Sequence, residues 1–227
     1  MIVKTKRFFL LQVLLVVLVT GIGQIGKAQM PKCGIQEVRT LDQVYELDII
    51  LSSVLEDEDY DSFVKYKEDY VEDVEDAAIV AVIKPTGNIH TYYLNARYEI
   101  VVERVIKGDQ SLENKVLHLF DSYNFAVSRM SEDKLGYHDI KNAMQPDHVY
   151  LAFFSPVELN NYLEEDAYRL DDSFFNYLDL DNDNTVPIDS PEQTEFKEVK
   201  EFEFFASSQR MLDVLIEIKQ KIIEKYI

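Results

Sequence analysis

The pattern of apolar and polar positions is most regular between Ala77 and Gly108, where it predicts two consecutive strands. Ala77–Ile83 is an apolar run too short for a helix, and Lys84–Asn88 after it contains the turn-forming residues Pro, Gly and Asn. From Tyr92 onward apolar residues alternate with polar ones, as in a strand with one buried face. The apolar even-numbered positions are Tyr92, Leu94, Ala96, Tyr98, Ile100 and Val102. We therefore expect a strand buried on both faces, a turn, and a second strand whose even-numbered side chains point inward.

A break in this alternation predicts that the second strand bends. The apolar pair Val105–Ile106 follows Glu103–Arg104, which is typical of a bulge where a long strand curls around a barrel. Three further apolar and aromatic runs are expected to supply the remaining strands: Lys115–Phe120, His148–Phe154 and Tyr168–Leu180. Residues 77–227 are thus predicted to form an α+β domain built on a small five-stranded antiparallel barrel.

Helical spacing of apolar residues marks the region before the barrel. In Glu37–Glu56 apolar residues recur every three or four positions, which predicts an amphipathic helix. Glu56–Asp76 combines a shorter stripe with many acidic residues and predicts a second, short helix. Its acidic residues are expected to form a solvated face, the alternative being a patch for a cation or a basic partner. Residues 29–76 are therefore predicted to be a helical segment.

The second half of the chain contains a predicted helix and two long loops. A wide apolar stripe over Met211–Ile223 predicts a C-terminal helix that packs on the barrel, with Ser207 or Ser208 as its cap. Ser122–Asp147 is a long polar excursion, and connections of that length tend to be functional or mobile. Asp181–Pro191 is rich in turn-forming residues and is expected to be a loop.

The first 28 residues have the order of a secretory signal. Lys4, Lys6 and Arg7 precede the apolar run Phe8–Val19, and Gly26–Ala28 places small residues where a signal peptidase cuts. We expect cleavage after residue 28 and export to the periplasm, the cell surface or the medium. An uncleaved anchor is the alternative, although the apolar run is shorter than the roughly 20 residues of a spanning helix.

Charge and cysteine content restrict the partners and the means of stabilisation. The whole chain has a formal charge of −19, and loss of residues 1–28 lowers its 23 basic residues to 19 against 42 acidic ones, a charge of −23. Such a charge repels phosphate backbones, so we do not expect the protein to bind nucleic acid. A cation or a basic protein is compatible with this charge as a partner. A single cysteine, Cys33, cannot form an internal disulfide. We expect it to be a buried thiol, the alternatives being an intermolecular partner or the remnant of a lost disulfide.

Few residues point to catalysis or to a bound metal. The chain lacks the HExxH, P-loop and GxSxG motifs and a pair of CxxC motifs. Its histidines are His90, His118, His138 and His148, and no two have the spacing of zinc ligands. Weak calcium binding is the remaining candidate, in the acidic segment Asp179–Glu192, where hard oxygen ligands are frequent. The candidate ligands are Asp179, Asp181, Asp183, Asp189 and Glu192.

That segment departs from the EF-hand pattern in two respects. Counted from Asp181, position six is Val186 where the sharp turn requires Gly, and Pro187 and Pro191 prevent an exiting helix. We therefore predict no calcium-binding helix pair, and at most a weak site at the first three aspartates.

Several short segments resemble the exported netrin-like domains related to tissue inhibitors of metalloproteinases. These are the apolar strand at Ala77–Ile83, the strand closing on Val105–Gly108 and the aromatic strand at Asp147–Phe154. The resemblance covers Ala77–Phe154 and implies an OB-like barrel with a C-terminal helix. In the family's inhibitors an N-terminal cysteine chelates a protease zinc. Here Cys33 would not be the first residue after cleavage, so protease inhibition is not expected.

Two classes of function follow from these observations. The first is a non-enzymatic, exported module that binds a partner through its acidic surface and its long loop. The second is a hydrolase that uses Asp or Glu side chains for acid–base chemistry in a pocket. An enzyme needs titratable groups that converge in a concave site. A filled barrel with acidic residues on its outside would favour the binding module.

Overall fold

The computed structural model of this chain describes residues 40–52, 54–92, 95–122, 125–127, 135–157 and 167–227. All of them belong to one compact unit, Ile35–Ile227. The predicted signal, residues 1–28, and Cys33 lie outside the described residues.

Strands form most of the regular structure. In chain order they are β1 (Ile49–Leu51), β2 (Ile79–Tyr92), β3 (Asn95–Lys107), β4 (Val116–Ser122), β5 (Phe125–Val127), β6 (Leu135–Tyr137), β7 (Tyr150–Pro156), β8 (Ala167–Leu170), β9 (Tyr177–Asp179), β10 (Thr185–Pro187) and β11 (Phe204–Ala206). The α-helices are α1 (Leu41–Tyr45), α2 (Tyr60–Lys65), α3 (Lys67–Asp73) and α4 (Gln209–Tyr226). Short 3-10 helices cover Asp57–Asp59, Val74–Asp76, Gln110–Leu112, Pro191–Gln193 and Phe196–Val199.

Five strands close into a barrel, as the sequence predicted. The order is β2-β3-β4-β8-β7, and β7 pairs again with β2, while β9 extends the sheet beside β7. The barrel is mixed rather than wholly antiparallel, because β4 and β8 run parallel. Parallel neighbours need a long crossover connection, and here the chain passes through β5, β6 and β7 before it returns as β8. Counted along the chain, the strands have the order one, two, three, five, four, which is an OB-like arrangement.

Alternation along β3 confirms the predicted inward face. Ala96, Tyr98, Ile100 and Val102 are buried; Leu94 and the side chain of Tyr92 lie outside the described residues. The predicted bulge is also present, because Ile83 lies opposite Val102 whereas the preceding Val82 lies opposite Arg104. Glu103 is therefore the extra residue that bends the strand.

The predicted turn at Lys84–Asn88 is wrong. The chain continues through this segment as part of β2, and the register with β3 shifts between Pro85 and Ile89. Gly87 has a φ of 88°, a conformation that glycine adopts without a steric penalty. The Pro and Gly in this segment thus mark an irregularity inside one long strand.

The predicted helix over Glu37–Glu56 is much shorter in the structure. Helix α1 ends at Tyr45, and Thr40 and Gln43 form its capping box. Ile49–Leu51 forms β1, which is fully buried and pairs in parallel with β6. Two of its three residues are Ile, and such residues favour a strand buried on both faces.

Two apolar cores meet at the barrel wall. The interior core includes Ile83, Tyr98, Leu119 and Phe154, all buried. A second core lies outside, where Val80 and Phe153 of the barrel pack against the apolar face of α4 and against α2 and α3. The C-terminal helix packs on the barrel as predicted. In the acidic segment the structure has two short α-helices, α2 and α3, where the sequence predicted one. The predicted fifth strand is split into β8 and β9.

Candidate functional site

The interior of the barrel is occupied by its own side chains. Residues Ala81, Ala96, Ile100, Leu117, Ala152 and Leu170 are all buried there, together with the larger side chains of the interior core. A ligand therefore has to bind on the outside of the barrel.

A cleft of about 520 Å³ lies beside the ends of β4 and β8. Its size is within the about 300–1,000 Å³ that is usual for small-molecule sites. Because Phe120 lies opposite Arg169 in this parallel pair, the chain leaves both strands at the same edge of the sheet. The acidic lining is Asp121, Asp139, Asp171 and Asp172, and the basic lining is Lys141 and Arg169, with His138 beside them.

Lys141 forms part of the cleft wall and is only 2% exposed. Its Nζ donates to Asp139 Oδ2 at 3.3 Å and to the carbonyl oxygen of Phe174 at 3.0 Å. It also lies 4.4 Å from the centroid of the Tyr177 ring. The charge of this lysine is therefore balanced by neighbours within the protein.

Arg169 and Asp172 form the solvent-exposed rim of the cleft. The distance between Arg169 Nη2 and Asp172 Oδ2 is 3.5 Å, and their side chains are 55% and 78% exposed. Exposed ion pairs of this kind contribute about 0–1 kcal/mol to stability. Both side chains can therefore turn towards a ligand at little energetic cost.

Asp171 is a half-buried carboxyl group inside the cleft. Its Oδ1 accepts a hydrogen bond from Ser155 Oγ at 3.1 Å, and its backbone carbonyl accepts one from Asn176 Nδ2 at 2.8 Å. Burial raises the pKa of Asp171, and the Ser155 hydrogen bond and the Arg169 charge oppose that shift. Asn176 Oδ1 is buried and has no hydrogen-bond partner among the described residues. Both side chains thus present acceptor oxygens that the described residues do not fully satisfy.

Three of the five carboxylates considered for calcium bind other groups of the protein. Asp179 Oδ2 lies 2.5 Å from His148 Nδ1, and Asp181 Oδ2 accepts from the Val149 N–H at 2.8 Å. Asp183 accepts from Lys219. The other two candidates, Asp189 and Glu192, are exposed. No group of three or more His, Cys, Asp or Glu residues in the described parts of the chain is arranged to hold a metal ion.

Beneath the acidic segment Asp179–Glu192 lies a buried Lys–Glu contact that the sequence analysis did not predict. Lys219 Nζ lies 2.5 Å from Glu203 Oε2, and the two residues are 1% and 6% exposed. Glu203 Oε1 accepts from the Asp179 N–H at 2.8 Å. Burial raises the pKa of Glu203 to about 8, and Lys219 opposes the shift. One signal was present, because Lys219 follows Leu215 by four positions and so falls on the apolar face of the helix.

The four histidines lie in different surroundings. His138 lines the cleft, His148 contacts Asp179, and His118 Nε2 lies 3.8 Å from Glu99 Oε2. His90 is in β2.

Of the residues singled out from the sequence for chemistry, only His138 lies in the cleft; Lys141, Arg169 and Asp171 were missed. They carry no local motif, and the parallel pairing of β4 with β8 is what groups Arg169 and Asp171 with Asp121.

The fold and the cleft define an α+β protein with a closed five-stranded mixed barrel, a C-terminal helix and a charged lateral cleft. Comparison of the chain with protein-family models, with curated proteins and with solved structures finds no significant match. Among the described helices none is both long and apolar enough to cross a membrane.

Proposed function

We propose that this protein is a non-enzymatic binding module that holds a polar ligand, or a polar group of a protein partner, in the cleft beside β4 and β8. The observation that carries the proposal is a cleft of ligand size, lined by charged side chains, beside a barrel whose interior is filled. The long loop expected to be functional contributes His138, Asp139 and Lys141 to this cleft. Loops supported by a rigid scaffold are frequent binding sites.

Export and kinship with netrin-like domains belong to the same proposal. Export is supported by the basic, apolar and small-residue order of residues 1–28. The kinship is supported by the short apolar motifs together with the OB-like strand order and the position of the terminal helix. Fractionation of cells that express the full chain tests export, since the mature protein should be recovered outside the cytoplasm without residues 1–28.

Site-directed variants combined with NMR test the binding site. A set of small cationic, anionic and neutral polar compounds is titrated into the ¹⁵N-labelled protein. We expect shifts of the backbone amides of Ser173, Phe174 and Asn176 with at least one compound. The double variant Arg169→Ala/Asp172→Ala should weaken that binding at least about tenfold, because it removes both rim groups.

Lys200→Ala/Glu201→Ala is a closely matched control. That pair is also separated by 3.5 Å and is 54% and 75% exposed, but it lies outside the cleft. It should leave the affinity unchanged. Shifts confined to other surfaces, or no shift with any compound, would refute the proposed site.

A hydrolase is the second candidate, because one observation favours it. Asp171 is a cleft carboxyl group with a raised pKa, and such a group can act as a general acid. Hydrolysis of a chromogenic ester or glycoside that disappears in Asp171→Asn would support the hydrolase. The binding module predicts that bound compounds are recovered unchanged.

A further inference from the structure

We infer that the group bound in the cleft is an organic cation, an alkylammonium or guanidinium group, held between Asp171, Asp172 and the face of Phe174. This inference rests on the proposed function and specifies the chemistry of its ligand. Such a cation belongs either to a free amine or to a Lys or Arg side chain of a protein partner.

The balance of charge in the cleft favours a cation. Four aspartates line it, against one lysine and one arginine. Lys141 is buried and already bound to Asp139 and to a backbone carbonyl, so it has little attraction left for an anionic ligand. Arg169 would then be the only fully charged donor that the described lining offers to an anion. The −19 charge of the chain also favours the approach of cations.

Asp171 and Asp172 supply acceptor oxygens to the cleft. Asp171 Oδ2 accepts no hydrogen bond from the described residues, since Ser155 binds Oδ1. The Asp172 side chain is 78% exposed, and among the described residues its ion-pair partner is Arg169 at 3.5 Å. An ammonium group donates up to three hydrogen bonds and a guanidinium up to five, so either can bind both carboxylates at once. A bound cation would also stabilise the ionised form of Asp171, whose carboxylate is partly removed from water.

Phe174 supplies an aromatic wall that is exposed yet held in place. It is 46% exposed, and its ring centroid lies 6.1 Å from that of Phe63 and 6.2 Å from that of Tyr70. Cations are attracted to the face of an aromatic ring by about 0.5–2 kcal/mol. The chain uses this contact elsewhere, because Arg210 lies 4.4 Å from the centroid of the Tyr60 ring. An organic cation in the cleft can therefore combine ion pairing with contact to a ring.

Calorimetric titrations with two kinds of probe test the inference. Spermidine and agmatine represent free amines, and a short peptide with capped termini and two arginines represents a partner's side chains. Citrate and a neutral sugar are the comparison ligands. We expect at least one cationic probe to bind, and citrate and the sugar not to bind. Binding of the small amines identifies a free ligand, and binding of the peptide alone identifies a protein partner.

Three variants locate the binding. Asp171→Asn and Asp172→Asn should each weaken the cation at least about tenfold, and Phe174→Leu should weaken it several-fold while keeping an apolar side chain. Asp189→Asn, an exposed aspartate outside the cleft, is the matched control and should have no effect. Circular dichroism confirms that each variant is folded. The side chain at position 172 is so exposed that Asp172→Asn should not disturb folding.

Three outcomes would overturn the inference, and they are distinguishable from one another. Binding of citrate or the sugar in the cleft without binding of any cation would refute the inference and leave the proposed function intact. Absence of any ligand from the cleft would refute both. Cation binding that survives all three cleft substitutions would show that the acidic surface in general attracts the probe, and this also contradicts the inference.

Discussion

A buried lysine, Lys219, connects α4 to the loops on either side of β10. Its Nζ donates to the carbonyl oxygen of Asn182 and to Asp183 Oδ1, both at 2.7 Å, and to Glu203 Oε2 at 2.5 Å. All three N–H groups of the ammonium are therefore used. Burial raises the pKa of Glu203 to about 8, so at neutral pH its carboxyl group accepts from Lys219 as a neutral partner. Losing any of these three acceptors would leave the buried ammonium charge poorly compensated, which destabilises the fold. This contact fixes the position of α4 on the barrel.

Glu203 should make the stability of the protein depend on pH. Burial raises its folded-state pKa from 4.5 to about 8, so folding favours the protonated form. The contribution of Glu203 to the free energy of unfolding is fully present below pH 4.5 and is lost as the pH rises to about 8. One pKa unit corresponds to about 1.4 kcal/mol, so the loss should be a few kcal/mol. Urea unfolding at pH 5, 6, 7 and 8 measures it.

Glu203→Gln provides the comparison for that experiment. Glutamine keeps an acceptor oxygen but does not titrate, so the unfolding free energy of the variant should change less between pH 5 and pH 8. Asp189→Asn, at an exposed position, should follow the wild-type profile. Parallel profiles for wild type and Glu203→Gln would contradict the prediction.

Two adjacent serines at the N-terminus of α4 differ in their hydrogen bonds. Ser208 Oγ accepts from the Met211 N–H at 3.4 Å and donates to Asp57 Oδ1 at 2.6 Å. Ser207 Oγ is buried and has no hydrogen-bond partner in the described parts of the chain. Ser208→Ala should therefore lower the free energy of unfolding by about 0.5–2 kcal/mol, the usual cost of losing an N-cap. Chemical denaturation is the measurement.

Ser207→Ala is the natural control for the cap, because it removes a neighbouring hydroxyl group that has no hydrogen-bond partner among the described residues. Its free energy of unfolding should be unchanged or higher, since a buried polar group without a partner is destabilising. Equal losses in the two variants would mean that Ser208 is not the cap.

Periodicity in the sequence predicted some elements correctly and others wrongly, for identifiable reasons. The stripe of α4 and the alternation of β3 extend over many residues, and each buries one face, so the pattern is unambiguous. Residues Ile49–Leu51 have no alternation, because β1 is buried on both faces, and the sequence alone could not separate it from the preceding helix. Residues Lys84–Asn88 contain Pro and Gly, which are found in turns and also in strand bulges. Only pairing with β3 distinguishes these two structures.

Charge acts on the molecule as a whole. The net charge of −19 implies repulsion among acidic residues, which destabilises the folded state. Cross-helix pairs oppose it, since Lys67, Lys221 and Lys225 contact Glu217, Glu68 and Glu75 respectively. Exposed pairs of this kind contribute little. The repulsion should therefore dominate.

Sodium chloride should consequently stabilise the protein. Raising its concentration from 0.02 to 0.5 M shortens the screening distance from roughly 20 Å to roughly 4 Å, so the free energy of unfolding should rise by about 1 kcal/mol or more. Thermal unfolding across a salt series measures the effect. Glu72→Gln/Asp73→Asn removes two exposed acids and should reduce the salt dependence. A fall in stability with salt would show that the ion pairs outweigh the repulsion.

At the scale of the whole molecule, the residues that line the candidate cleft could not be identified from the sequence. Asp121, Lys141 and Asp171 are far apart in sequence, and each looks like an ordinary surface residue. They line one cleft because β4 and β8 are parallel neighbours and because the segment after β6 returns to their ends. No periodicity encodes such a juxtaposition.

The sequence by itself determined which segments have one apolar face, the net charge, and the α+β class with a barrel of five strands. It could do so because the free energy gained by removing apolar surface from water is roughly proportional to its area. Apolar residues therefore recur along each element with the period of its buried face. The tertiary structure decided that β4 and β8 are parallel, that Lys219 is buried, and that the cleft contains both signs of charge. Those features depend on contacts between residues distant in the chain, whose energies exist only once the strands have paired.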